Sequence, residues 1–273
     1  MKFAICQELF ESTPWQEQCR IIADAGYTGI EVAPFSIADD LSSVPDSQLT
    51  DMKSIAADYG LSIIGLHWLL AKTEGFYLTS PDRGVQAATV EYLRLLARTC
   101  AKLGGHVLVF GSPQQRNLLP GVSTRQATEI AANVFRQAAA EFESSNVVLC
   151  MEPLTRRETD FVNTCAQAVD LIEQIDHPSF RLHQDVKAML GAESETVMSL
   201  IYQYRDICGH FHVNDTNLLG PGMGETDFTP ILKALHDTGY DGWVSVEVFD
   251  YAPGAEKITR ESIQCMQEIM VSL

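Results

Sequence analysis

The stretch Val147-Val148-Leu149-Cys150-Met151-Glu152-Pro153-Leu154 decides how this chain folds. It is a short apolar run, rich in β-branched residues, that ends in a carboxylate and then a proline. This pattern is typical of a strand that is buried on both faces and carries a charged residue at its carboxyl end. Similar runs end in Asp185, His212 and Glu247, each roughly one strand–helix unit further along the chain. A residue type that binds metals therefore recurs once per unit, at a strand end.

The alternation of strands and helices extends over the whole sequence. The predicted strands cover residues 2–10, 29–35, 61–66, 106–110, 147–154, 180–185, 208–213 and 243–249. The predicted helices cover about 14–25, 47–59, 83–103, 123–143, 164–175, 195–205, 228–238 and 258–271. Eight alternating pairs in 273 residues, with no linker-like segment, predict a single (β/α)8 TIM barrel in which residues 1–273 form one domain. Active sites of such barrels lie at the carboxyl ends of the strands.

The charge balance limits the partners of the protein. With 36 acidic and 19 basic residues the formal net charge is −17, and the basic residues are scattered along the chain. Nucleic-acid binders carry a basic face, and proteins of the membrane surface carry a basic amphipathic helix. We therefore expect neither a nucleic-acid nor a membrane partner, whereas a divalent cation is compatible with this charge.

The cysteines and the amino-terminal residues indicate the cellular compartment in which the protein is expected. Seven cysteines are an odd number and show no Cys-x-x-Cys spacing, which indicates buried thiols in a reducing environment. The chain enters a strand directly from Met1, and no apolar run approaches 18 residues. The sequence thus predicts a cytoplasmic location.

Four residues taken together predict a metal site. Three carboxylates do not sit side by side in a protein unless a cation compensates them. A mixed oxygen and imidazole set suits Mn²⁺, Mg²⁺, Co²⁺ or Zn²⁺ rather than a thiolate-preferring metal. We therefore expect one divalent metal ion bound by Glu152, Asp185, His212 and Glu247. His210, two residues before His212, is interpreted instead as a hydrogen-bonded core histidine.

Several motifs resemble a known family, the xylose-isomerase-like barrels that include ketose 3-epimerases of the D-tagatose 3-epimerase type. The resemblance covers essentially the whole chain and is strongest in its second half. It is carried by Glu152-Pro153-Leu154, Glu158-Thr159-Asp160-Phe161-Val162-Asn163-Thr164, Asp185, Gly209-His210-Phe211-His212, the run from Pro221 to Phe228, and the run from Gly239 to Glu247. The metal ligands of the family fall on the four residues that the spacing selects.

The resemblance also implies an activity and a mechanism. It implies a metal-dependent isomerase or epimerase that acts on a keto-sugar, with Mn²⁺ as the first choice of metal. The metal would polarise the substrate carbonyl and stabilise a cis-enediolate. Glu152 and Glu247 would be the catalytic residues, one removing the proton next to the carbonyl and the other returning a proton to the opposite face. If one glutamate did both, the outcome would be isomerisation or retention.

The substrate contacts are less well defined by the sequence. The resemblance implies that Glu158 contacts substrate hydroxyls, although a solvated loop charge is an equal reading. The family has a histidine where Ala188 stands and an arginine near Leu218. The resemblance with these two departures implies that the chemistry is kept and that the substrate differs. Further residues at or just beyond strand ends are predicted to line the pocket: Glu8, His67, Trp68, Arg116 and Lys187. Trp68 also fits a core position, and Lys187 a surface one.

The residue pattern bears on three other functional classes. A lyase or dehydratase acting on a keto-sugar, an inosose or a 3-keto-glycoside would use the same ligands and the same proton abstraction. A nuclease of the three-zinc type on this fold lacks its histidines here, because Gly111, Ser112 and Ala188 occupy the corresponding positions. A barrel that binds without catalysis is disfavoured because both glutamates are present. The family is often dimeric or tetrameric, so a homo-oligomer is compatible with the sequence.

Overall fold

Eight parallel strands close into a barrel in the order of the sequence, in a computed structural model that describes all 273 residues. The strands are β1 (Lys2–Cys6), β2 (Gly29–Val32), β3 (Ser62–Leu66), β4 (Val107–Phe110), β5 (Val148–Met151), β6 (Phe180–Asp185), β7 (Cys208–Val213) and β8 (Trp243–Val246). Strand β8 pairs with β1 and so closes the sheet. The predicted (β/α)8 TIM barrel is confirmed.

Ten helices surround or connect the strands. They are α1 (Trp15–Ala25), α2 (Pro34–Ile37), α3 (Asp46–Asp58), α4 (Arg83–Leu103), α5 (Thr124–Ser144), α6 (Cys165–Ile175), α7 (Val186–Ala192), α8 (Val197–Tyr204), α9 (Thr229–Asp237) and α10 (Ala255–Ser272). Ser123 and Gln126 form a capping box that begins α5, and Gly104, with φ of 88°, ends α4. None of these helices combines the length and the apolar character that crossing a membrane requires.

The main hydrophobic core lies between the barrel and the helices. On one side Phe110 of β4 packs edge-on against Phe135 of α5, with ring centroids 5.3 Å apart. Phe180 of β6 contacts Phe135 and Phe142 at 5.5 and 5.4 Å. Such aromatic pairs contribute about 0.5–1.5 kcal/mol each beyond the area that they bury. These pairs hold α5 against β4 and β6.

The carboxyl ends of several strands differ from the prediction. Strand β1 ends at Cys6, where a 3₁₀ turn over Glu8–Phe10 follows, and β8 ends at Val246 instead of residue 249. The short helix α7 was not predicted, and it begins directly after Asp185 because the Asp185 side chain accepts a hydrogen bond from the Ala188 N–H. These strands are therefore shorter than predicted at their carboxyl ends, and the polar residues that follow them lie in turns and loops.

Two irregularities interrupt the strand registers. One falls between Ile30 and Glu31, where β2 pairs with β3. The other falls between Leu182 and His183, where β6 pairs with β7. Irregularities of this kind re-aim the side chains that follow them and are common near active sites. Both of these precede a fully buried ionisable residue that faces the barrel interior.

Candidate active site

The four residues predicted as metal ligands meet at the carboxyl end of the barrel. Asp185 and His212 lie in β6 and β7, while Glu152 and Glu247 directly follow β5 and β8. Neighbouring parallel strands bring residues in these positions together, and all four residues are at most 5% exposed. Four polar residues in one dry region require either mutual hydrogen bonds or a bound cation.

Asp185 and Glu247 are held by defined donors. Asp185 accepts hydrogen bonds from the Ala188 N–H at 2.7 Å and from the Asn214 side-chain amide at 2.6 Å. Glu247 accepts one from the Trp68 indole N–H at 2.9 Å. The backbone of Trp68 has φ of 54°, in the left-handed region, which places the indole over the site. The two carboxylates are thus fixed before any ligand arrives.

Glu152 is the exception, because its carboxylate accepts no hydrogen bond from the protein. The nearest basic atom is Nε2 of His183, 3.9 Å from Glu152 Oε1. Burial, together with the charges of Glu247 and Asp185, raises the pKa of Glu152 well above its usual value. Burial also raises the pKa of Asp185 to about 6, although Lys187 opposes the shift. A divalent cation would relieve this crowding of carboxylates, so the residues present fit the metal that the sequence predicts.

His212 lies between two carboxylates. Its Nδ1 is 3.2 Å from Glu247 Oε2, and its Nε2 is 3.2 Å from Glu31 Oε2. A neutral imidazole carries one N–H, so donation to Glu31 would leave the lone pair of Nδ1 directed towards the other site residues. This is the arrangement that a histidine ligand requires.

Sequence reasoning missed Glu31. Its carboxylate is fully buried in β2 and faces three histidines: His210 Nε2 at 2.9 Å, His212 Nε2 at 3.2 Å and His67 Nδ1 at 3.9 Å. Burial would raise the pKa of Glu31, but the adjacent His210 and His212 outweigh it and hold that pKa well below its usual value. The available signal was a charged residue inside the apolar strand Gly29–Val32. His210 is a hydrogen-bonded core histidine, as predicted.

Sequence reasoning also missed His183. One donor atom from each of four buried residues, Glu152, His183, Asp185 and His212, lies within 4.8 Å of the other three. Glu247 is not in this group and belongs to two others, one with Cys6 and His212 and one with Glu8 and His67. The signal for His183 was its place two residues before Asp185, which puts both side chains on the same face of β6.

Three of the six predicted substrate contacts line a cavity of about 100 Å³ beside the glutamates. His67, Trp68, Glu158 and both Glu152 and Glu247 line it, together with Phe249. His67 is also bonded through Nε2 to Glu8 Oε2 at 2.6 Å. Lys187 does not line the cavity itself, but its ammonium donates to Glu158 Oε1 at 2.8 Å and lies 4.0 Å from the Phe249 ring centroid. A larger groove of about 800 Å³ lies beyond Trp68, which lines both spaces.

Arg116 does not occupy the place that was expected. The residue is fully buried, and its guanidinium donates to the backbone carbonyls of Glu152 at 2.6 Å and Val162 at 3.1 Å. It does not line the cavity. Arg116 lies in a loop at the carboxyl end of β4, and that position suggested a substrate contact. The side chain instead turns away from the cavity, towards the backbone that follows β5. Arg116 therefore supports the backbone at Glu152 in this structure.

Comparison with known proteins agrees with this architecture. The family model for the xylose isomerase-like TIM barrel matches residues 19–269. The chain is 26% identical over 230 residues to D-psicose 3-epimerase of Ruminiclostridium cellulolyticum, covering 84% of this chain and 76% of that protein. Its structure resembles D-psicose 3-epimerase crystallised with D-fructose, with a TM-score of 0.86, 22% identity and 99% of both chains covered. For 3-keto-D-glucoside 4-epimerase from E. coli the TM-score is 0.84, with 19% identity and coverages of 98% and 99%.

Several relatives found by sequence are named ketose 3-epimerases, which are isomerases, and the present chain is an enzyme of the isomerase type. The family match spans nearly the whole barrel, including all four predicted ligand positions. The chain belongs to the xylose isomerase-like TIM barrel family.

Proposed function

We propose that the protein is a divalent-metal-dependent isomerase or epimerase of a keto-sugar, with Mn²⁺ as the expected metal. The observation that carries this proposal is the pair of glutamates, Glu152 and Glu247, on the walls of one small cavity beside Asp185 and His212. The relatives named as ketose 3-epimerases support the choice of a keto-sugar. The proposed metal ligands are Glu152, Asp185, His212 and Glu247.

Different residues of the chain would transfer protons, exclude water and bind the substrate. A bound divalent ion would supply charge that polarises the substrate carbonyl. Of the two glutamates, one would take the proton from the adjacent carbon and the other would deliver a proton to the opposite face. Trp68 and Phe249 would exclude water from the cavity, and the Trp68 N–H would keep Glu247 oriented. Glu158, held by Lys187, would accept a hydrogen bond from a substrate hydroxyl.

Deuterium exchange tests this proposal directly. The Mn²⁺-loaded protein would be incubated in D2O with a panel of ketoses and keto-glycosides, and the products followed by NMR. We expect deuterium at the carbon next to the carbonyl together with formation of an epimer or isomer. A protein that binds Mn²⁺ but exchanges no proton in any member of the panel would contradict the proposal.

A second candidate is a lyase or dehydratase that acts on a larger keto-sugar, such as a 3-keto-glycoside. The groove of about 800 Å³ favours it, because a substituent of the reacting sugar could lie there on the other side of Trp68. Typical ligand sites measure about 300–1,000 Å³, whereas the cavity at the glutamates is smaller. In the same NMR experiment, an eliminated fragment in place of an epimer would identify this reaction.

The role of Glu158 predicts a change in substrate affinity. Glu158→Gln is expected to raise KM about tenfold and to change kcat little, because a hydrogen bond to a charged group contributes roughly 1.5 kcal/mol or more. Steady-state kinetics at saturating metal would measure both constants. Arg157→Gln, at the exposed neighbouring position, provides a matched control that should leave KM unchanged. An unchanged KM in Glu158→Gln would mean that this residue is only a partner of Lys187.

The contact between Glu31 and His212 predicts a loss of metal affinity. Removing a carboxylate that orients a ligating histidine typically weakens metal binding by about 10–100-fold. We expect this loss in Glu31→Gln, because a neutral amide lacks the negative charge that strengthens the hydrogen bonds from His210 and His212. Calorimetric titration with Mn²⁺ would measure it. Glu8→Gln is the control, because it alters a different buried carboxylate–histidine contact and should bind Mn²⁺ as tightly as the unaltered protein does. If Glu31→Gln bound Mn²⁺ as tightly as Glu8→Gln does, the proposed role of Glu31 would be wrong.

A further inference from the structure

His183 is a buried histidine without a hydrogen-bonding partner. Its side chain is completely inaccessible to solvent, and neither Nδ1 nor Nε2 has a donor or acceptor in the structure. Buried polar groups in proteins are almost always hydrogen-bonded, so an orphaned imidazole of this kind calls for an explanation. The neighbouring imidazoles do not supply a partner, because His210 and His212 direct their Nε2 atoms to Glu31.

The register of the strands directs His183 towards the candidate metal site. The pairing of β6 with β7 shifts between Leu182 and His183, so that His183 lies beside His210 and Asp185 beside His212. The ring of His183 packs edge-to-face against that of His212, with centroids 4.2 Å apart. His183 therefore points into the same space as the predicted ligands.

The distance between His183 and Glu152 is within the range for two ligands of one ion. His183 Nε2 lies 3.9 Å from Glu152 Oε1, which is too long for a hydrogen bond. Two ligands of a common ion, each at about 2.0–2.2 Å, are separated by at most about 4.3 Å. The unpartnered nitrogen of His183 and the unpartnered carboxylate of Glu152 would both be satisfied by one cation between them.

We propose that His183 is an additional ligand of the metal centre, next to Glu152, Asp185 and His212. This inference rests on the metal site of the proposed function and adds a second imidazole to it. Imidazole is a preferred ligand of Zn²⁺ and Co²⁺, whereas Mg²⁺ prefers oxygen. The second histidine therefore shifts the selectivity of the centre towards Zn²⁺ and Co²⁺ and away from Mg²⁺.

Pulsed EPR of the Mn²⁺-loaded protein tests this inference independently of activity. Hyperfine coupling to directly bound nitrogen should show two nitrogens in the unaltered protein and one in His183→Leu. Calorimetry should show Zn²⁺ affinity reduced about 100-fold by the same substitution, with Mg²⁺ affinity changed about tenfold at most. His210→Gln, which keeps a donor for Glu31, is the control and should retain both nitrogens.

The unaltered protein alone can overturn the inference. A single bound nitrogen in its spectrum would remove His183 from the coordination sphere and leave the proposed function intact, whether or not His183→Leu folds. An unchanged Zn²⁺ affinity in a folded His183→Leu would have the same meaning. Failure of the unaltered protein to bind Mn²⁺ or Zn²⁺ would instead overturn both this inference and the metal dependence of the proposed function.

Discussion

Glu152→Gln and Glu247→Gln are each expected to abolish formation of the epimer while leaving the barrel folded. Each substitution removes a group that would transfer a proton, and general acid–base catalysis contributes typically about 10²–10⁴-fold to a rate. Glutamine has nearly the same shape as glutamate, and both side chains lie at the end of a strand rather than in the core between barrel and helices. The loss should therefore appear in kcat and not in the unfolding transition.

Deuterium exchange distinguishes the proton-transfer roles of Glu152 and Glu247. If they act on opposite faces of the substrate, each variant should still exchange the proton that faces the remaining glutamate, but without inversion. The two variants should then exchange opposite epimers of the same sugar. Metal content must be measured in parallel, because both residues are also proposed ligands. Turnover like that of the unaltered protein, in a variant with full metal loading, would remove that glutamate from its role.

The carboxyl ends of strands explain why the sequence could place the four proposed ligands at one end of the barrel. Glu152, Asp185, His212 and Glu247 each close an apolar run, and a parallel barrel brings such positions to one face whatever the details of its loops. The local signals of the helices were equally clear, as the capping box at Ser123 shows. Both kinds of pattern are contained within about ten residues of sequence.

The pattern of strand ends could not identify Glu31 and His183, because the roles proposed for these two residues depend on contacts between strands that are distant in the sequence. Glu31 lies 179 residues from His210, its partner in the structure. Each of the two follows a shift in strand register, and nothing in the sequence marks either shift. Arg116 shows the converse case. Its loop was placed correctly, but the direction of its side chain depends on the carbonyls of Glu152 and Val162.

Gly111 is expected to be indispensable for the position of Glu152. The residue directly follows β4, and a Cβ atom added there would lie 2.3 Å from Glu152 Oε2. That distance is far inside van der Waals contact, so the carboxylate must move. The same carboxylate accepts no hydrogen bond that would hold it in place, and the missing side chain of Gly111 creates the room that it occupies. A single methyl group should therefore act on the catalytic geometry rather than on the fold.

We expect Gly111→Ala to lower kcat about 100-fold, since a displacement of about 1 Å in a reacting group can cost that much. Metal affinity should fall as well, because Glu152 is a proposed ligand. Gly239→Ala is the matched control. Gly239 has φ of 73° and no atom within 4 Å of an added Cβ, so its substitution should cost about 1 kcal/mol of stability while turnover is retained. If Gly111→Ala kept full activity with a normal metal content, the carboxylate would not need its observed position, and the assignment of Glu152 to proton transfer would fail.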